Sequence, residues 1–392
     1  MKLNKNLIRG REKLMITFKS TINKFCMITS VPMTLAICSL AYGATSSIPG
    51  EYFYVGGKYE EVNGTKSYSG QMYVQHFKAG TKRFPYPVVM VHGTGQSGVG
   101  FLGTPDGRPG WVKYFVENGF DVYVVDQPAR ARSSTSPSYG DYKTFPIPTI
   151  QYLLSKAAFP QAKLHSQWPG GEPEPGNAAF DQFMASQVPF LGDSKKTEEL
   201  NLDANLALFK KIGPAIYLSH SQSGAFGWKL ADSRPDLVKG LVAIEPNGPP
   251  FRDVSFPGGD PWFVFRSGVS RPYGLTRLPL TFEPQAGQNG LAFVEEKQVD
   301  FPGAITCLLQ KEPARALPVL KHIPILILTG EASFRATYDH CTSKFLTQAG
   351  VSHTHIRLED KGVKGNSHML MLELNNQSSA KVIMDWLSKN IK

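Results

Sequence analysis

Pro214-Ala215-Ile216-Tyr217-Leu218-Ser219-His220-Ser221-Gln222-Ser223-Gly224 runs from an apolar strand into a tight turn, and residues 225 to 231 continue it as a helix. A strand that turns straight into a helix lifts the residue at its apex clear of the sheet. Such a turn admits only small side chains two positions before and two after that apex. Ser219 and Ser223 meet this demand around Ser221, which makes Ser221 the candidate nucleophile, although both flanks depart from Gly-x-Ser-x-Gly. Small-x-Ser-x-small alone is common by chance. Its place between strand and helix gives it weight.

Working outward, residues 87 to 92, 121 to 126, 240 to 245 and 323 to 329 are equally apolar runs, and 111 to 118 is a helix closed by Gly119. A last strand at 353 to 358 and a helix at 380 to 389 end the pattern. Continuous apolar strands alternating with helices predict an α/β fold with a mostly parallel central sheet covered by helices on both faces. Residues 52 to 55 and 71 to 77 precede it as an antiparallel pair. Two irregular stretches, roughly 133 to 205 and 247 to 310, interrupt the rhythm. The first contains Pro169-Gly170-Gly171-Glu172-Pro173-Glu174-Pro175-Gly176, which no strand or helix tolerates. Both are expected as cap or lid insertions over the carboxyl ends of the strands, where open α/β sheets bind ligands.

Of 392 residues, 41% are hydrophobic and 19% charged, a globular composition that excludes disorder, collagen, coiled coil and a multi-pass membrane protein. The formal charge of +10 suggests nucleic acid until it is located. Seven Lys and Arg against Glu12 alone lie in the first 24 residues, and 25 to 44 carry no charge. With Ala41-Tyr42-Gly43-Ala44 as a small-residue exit, residues 1 to 44 read as a secretory signal, and the remaining charge does not support nucleic-acid binding. Met15 offers a start that would give a signal of ordinary length. Retention as an anchor and lipidation at Cys38 are the rivals, the latter disfavoured by the large Ile37. Residues 45 to 392 are then one exported domain, periplasmic or secreted, without stable membrane insertion. Its two cysteines, Cys307 and Cys341, either form one disulfide or are buried free thiols.

Val91-His92-Gly93-Thr94-Gly95-Gln96 follows an earlier strand. Acyl transfer places negative charge on a carbonyl oxygen, and two preorganised N–H donors there are worth roughly 3 to 4 kcal/mol each. The expected donors are the amide after the nucleophile, Gln222, and that of Thr94, with Gly95 as the alternative. The loop is too short, and lacks the lysine, to be a phosphate-binding P-loop. Of nine histidines, His368 in Gly365-Asn366-Ser367-His368-Met369 lies after the last strand and before the last helix, where the base of a Ser…acid…His order belongs. The acid is less direct. The turn after 323 to 329 reads Gly330-Glu331-Ala332-Ser333, with serine where an aspartate is usual, whereas Ile244-Glu245-Pro246 places a carboxylate one strand earlier. Glu245 is preferred over Glu331 and Asp339.

Together these residues resemble the α/β-hydrolase superfamily, and more narrowly a branch of exported esterase-like serine hydrolases. Thr104-Pro105-Asp106-Gly107-Arg108-Pro109-Gly110-Trp111, Asp126-Gln127 followed by Arg130 and Arg132-Ser133, His220 to Gly224, Ile244-Glu245-Pro246 and Gly365 to His368 have counterparts there in the same order, over roughly residues 50 to 390. The resemblance implies a triad of Ser221, Glu245 and His368 with the acid after the sixth strand. Some relatives carry adjacent cysteines where this chain has Thr94-Gly95, so substrate range does not transfer through that loop.

The expected activity is cofactor-free and metal-free hydrolysis of a small-molecule carboxylic ester or lactone, with Ser221, His368 and Glu245 as triad and Thr94 and Gln222 as oxyanion donors. Trp168, Phe180, Phe183, Trp262, Phe263 and Phe265 are candidates for an apolar acyl pocket and equally for lid core. An amidase with the same triad is one rival and a non-catalytic binding protein of the same fold another. A homodimer is compatible with the sequence.

Overall fold

A computed structural model describes residues 50–154 and 159–392. The segment expected to be a signal, 1 to 44, lies outside the described residues. Eight strands form the central sheet: β1 (Glu51–Val62), β2 (Thr65–Phe77), β3 (Val88–Val91), β4 (Val122–Asp126), β5 (Ala215–His220), β6 (Val238–Ile244), β7 (Ile325–Thr329) and β8 (Thr354–Arg357). Their spatial order is β1-β2-β4-β3-β5-β6-β7-β8. β2 runs antiparallel to both its neighbours and every other pairing is parallel.

Parallel strands buried on both faces lack alternation because each side chain meets a helix, whichever way it points. Val89, Val91, Tyr217, Leu241 and Ile327 share one core with α2 (Ser194–Ile212), α3 (Ser223–Ser233) and α4 (Asp339–Gln348). Their chain neighbours Val88, Met90, Ile216, Val242 and Leu328 join the opposite core with α1 (Trp111–Glu117) and α5 (Asn376–Asn390). Each large apolar side chain fully buried there contributes about 1.5–3 kcal/mol over leaving it in water.

The β1–β2 hairpin is longer than the sequence pattern suggests. Asn63 and Gly64 both take left-handed backbone, φ 52° and 73°, and close a two-residue turn between Val62 and Thr65. Residues near that tip are largely exposed on both sides, so no apolar periodicity marks them. The helix α2 starts inside the first inserted stretch, where Asp193 Oδ1 accepts from the amides of Lys195 at 2.8 Å and Lys196 at 3.0 Å.

Both insertions meet over the turn that follows β7. Phe159 from the first, Phe256 and Ile305 from the second, and Phe334 and Tyr338 from the turn form a separate apolar cluster. Cys307 and Cys341 lie in it and are joined in a disulfide, with their Cα atoms 5.2 Å apart. Of the two alternatives open at the level of sequence, the cross-link is the one present, and it ties the second insertion to α4. No helix among the described residues is long and apolar enough to cross a membrane.

Candidate active site

Ser221 follows β5 with φ at +58°. A non-glycine residue pays strain in that region, and three backbone hydrogen bonds hold it there. Its N–H donates to Ile244 O at 3.0 Å, and its carbonyl accepts from Gly224 N at 3.1 Å and Asn247 N at 2.8 Å. Ser223, where the usual motif has glycine, uses its hydroxyl: Oγ accepts from His220 N at 2.9 Å and faces Val91 O at 2.8 Å, stitching the turn to β3. Gly224 has a steric reason, since a Cβ there would come within 2.7 Å of Pro246.

Glu245 follows β6, fully buried, also with left-handed backbone at φ 45°. Its Oε1 accepts from Gly330 N at 2.8 Å and its Oε2 from Ser333 Oγ at 2.7 Å. His368 Nδ1 lies 2.5 Å from that Oε2. Ser333 thus stands where an aspartate is usual and donates to the carboxylate arriving from the neighbouring strand. Glu331 instead accepts from Gly365 N, and Asp339 from Thr329 Oγ1, both at 2.8 Å.

The segment bearing His368 is fastened on several sides. Glu373 accepts from Ser367 N at 2.8 Å and Asn366 Nδ2 at 2.7 Å, and His165 Nε2 of the first insertion meets it at 3.0 Å. Arg108 donates to the carbonyls of Leu372, Glu373 and Leu374, and Trp111 Nε1 to that of Asn376. The 104 to 111 motif is therefore an anchor for the loop and helix after His368. His220 Nε2 donates to His368 O at 2.9 Å.

Across the turn lies the His92-Gly93-Thr94 loop. His92 Nε2 accepts from Gln127 N at 3.1 Å, so its Nδ1 carries the proton and donates to Gly93 O at 2.9 Å. Burial and the Arg130 charge hold His92 down to about 3, which makes it a neutral scaffold. Arg130, fully enclosed, donates to Gly93 O at 2.9 Å and to Gln222 Oε1 at 2.7 Å, clamping the two segments that carry the expected oxyanion donors. The amides of Thr94 and Gln222 have no acceptor among the described residues. A Cβ on Gly93 would lie 2.9 Å from Ser221 Cβ, so only glycine allows this approach.

Ser221 Oγ and His368 border one pocket, yet in this conformation Oγ accepts from Arg335 Nη2 at 3.3 Å and does not donate to the imidazole. Such contacts commonly tighten only when substrate is bound.

No family model matches the sequence. The fold is that of a solved protein described as a novel bacterial esterase, with a TM-score of 0.57 and 22% identity, covering 87% of this chain and 96% of that one. Over 345 residues the chain is 41% identical to "Probable secreted lipase phiG" of a fungal species (strain ATCC 74256), covering 86% of this chain and 89% of the relative. The chain belongs to the α/β-hydrolase superfamily.

In this α/β-hydrolase the first insertion, Asn247 and the turn after β7 wall a pocket with about 700 Å³ of empty space, part of it open to solvent. Its apolar wall comes from Phe145, Ile150, Leu153, Phe183, Phe334 and Met369. Of the six aromatics expected from sequence, only Phe183 borders it. Trp168 and Phe180 pack into the sheet core, and Trp262, Phe263 and Phe265 against the lid cluster. Phe334 carries no sequence signal, because the apolar side chains it joins in the pocket come from the distant first insertion.

Burial sets the protonation of the α/β-hydrolase site. His368 is held well below the ordinary imidazole range by burial and then by the Arg335 charge. Burial raises the Glu245 carboxyl above its ordinary range, and Ser333, Gly330 and Arg335 pull it back only in part.

Proposed function

We propose that this α/β-hydrolase is an exported serine hydrolase that cleaves carboxylic esters or lactones. The observation carrying this reading is the convergence of Ser221, on its strained turn, with His368 in one pocket, while Glu245 meets His368 Nδ1 at 2.5 Å. The name of the 41% identical relative supports both ester hydrolysis and export.

His368 Nδ1–H donates to Glu245, which leaves Nε2 free to take the Ser221 proton. Oγ attacks the carbonyl carbon, and the Gln222 and Thr94 amides receive the charge that develops on its oxygen. The protonated His368 then returns the proton to the departing alkoxide. In the second half, His368 deprotonates water, which attacks the acyl-enzyme and releases the acid and Ser221. An amide would follow the same course, and a lactone would release its alcohol still tethered to the acyl group.

Hydrolysis of short- and medium-chain 4-nitrophenyl esters, with mass spectrometry after a serine-directed phosphonate, tests the proposal. Turnover together with an adduct on Ser221 is the expected result. Folded protein that neither turns over nor is labelled would favour a binding protein of this fold.

The pH profile gives a separate check on the base. Neutral His368 is the active form, and burial and Arg335 both oppose its protonation. The acid limb of kcat/KM, which reports the free enzyme's base, is expected below the ordinary imidazole value of about 6.5. A limb at or above that value would argue against His368 in this role.

A further inference from the structure

Arg335 lies on the turn after β7 and is 5% exposed. Its Nη2 reaches Ser221 Oγ and its Nη1 reaches Gly248 O, both at 3.3 Å, while Nε is buried without a partner. A guanidinium offers five N–H donors, so most of its capacity is unused. No carboxylate approaches it within ion-pair distance among the described residues. Other enclosed arginines differ. Arg271 meets Asp253 at 2.6 Å, and Arg130 is spent on two short bonds inside the scaffold. The rings of Phe334 and Tyr338, 4.9 and 5.2 Å from its central carbon, hold the guanidinium in place beside the pocket.

Glu245 and Asp339 act on Arg335 only from beyond ion-pair distance, so the enclosed cation has no carboxylate in contact, and an anion brought into the pocket would supply one. The rest of the wall is largely apolar, and Arg335 is the permanent charge on it. A carbonyl poised for attack sits about 3 Å from Oγ, so an anion within reach of Nη2 lies a few bonds from that carbonyl.

We infer that the pocket selects esters carrying a carboxylate a few bonds from the scissile carbonyl, with Arg335 as the residue that receives it. This rests on the hydrolase reading and deepens it. The remainder of such a substrate is hydrocarbon or aromatic, matched to Phe145, Ile150 and Phe183. A plain neutral lipid ester would leave the guanidinium as it is now.

Two matched pairs test this by pH-stat titration. Monoethyl succinate against ethyl levulinate places the carboxylate on the acyl side, and butyryloxyacetate against butyryloxyacetone on the alcohol side. The unmodified enzyme is expected to favour the carboxylate of at least one pair by about ten-fold or more in kcat/KM, mostly through KM. Arg335→Met should abolish that ratio and Arg335→Lys should keep part of it, each value being a ratio within one protein. Equal kcat/KM within both pairs would overturn the inference while leaving the hydrolase reading intact. So would equal values accompanied by product inhibition that Arg335→Met removes, since Arg335 would then grip only the acid released. Calorimetric binding of the same pairs to His368→Ala decides the matter without turnover. Tighter binding of a carboxylate by about ten-fold supports the inference, and equal binding in both pairs overturns it.

Discussion

Replacing Ser221 by alanine is expected to lower kcat on 4-nitrophenyl butyrate by roughly 10⁵- to 10⁶-fold, the loss seen when a serine nucleophile acting as one unit with its base is removed. The hydroxyl is the only group at the apex of the turn able to form the acyl-enzyme. The turn itself is held by backbone bonds to Ile244, Gly224 and Asn247, which alanine retains. Alanine tolerates the left-handed conformation no worse than serine does, so thermal stability should change little. Any residual rate would come from the oxyanion donors and binding alone. Initial rates and a melting curve on the same preparation check both halves. Activity retained within about a hundred-fold of the parent would remove Ser221 from the mechanism.

Glu245→Gln should cost about 10⁴-fold in kcat, again with the fold retained. The amide keeps a carbonyl oxygen for Gly330 N or Ser333 Oγ, so the loss is not one of packing. It does, however, present an N–H to His368 Nδ1. The imidazole then moves its proton to Nε2, where it can no longer accept from Ser221. Glu331→Gln and Asp339→Asn serve as the comparison, because their carboxylates answer Gly365 and Thr329 and do not touch His368. Each should fall by less than about ten-fold in kcat. Comparable losses in either of these, with Glu245→Gln near the parent rate, would transfer the acid role.

Much of the architecture is legible in the chain because the sheet is buried on both sides. Residues 88 to 91 and 325 to 328 show no polar interruption, as expected of a doubly covered strand. The tip of the first hairpin is not legible in the same way. Beyond Lys58 its side chains face water on both sides, so its pairing depends on the Asn63-Gly64 turn and not on an apolar stripe. The start of α2 is hidden for a related reason. Its first turns are rich in Lys and Glu, and only the Asp193 cap marks the boundary.

At the site, the sequence by itself determined the positions where backbone constraint is local. The small residues around Ser221 are demanded by one tight turn, and His368 follows from chain order. The 245 to 246 step places a carboxylate at a strand end. Tertiary structure alone decided what distant strand ends do to one another. Ser333 donates to Glu245 only because β7 lies beside β6, and Cys307 reaches Cys341 only because the second insertion folds back over α4. Arg335 stands beside Ser221 Oγ, 114 positions away in the chain. Nothing in the residues flanking Arg335 distinguishes it from an arginine facing water. Its burial depends on how the strand ends, the turn and the insertions close together, and sequence spacing does not encode that closure.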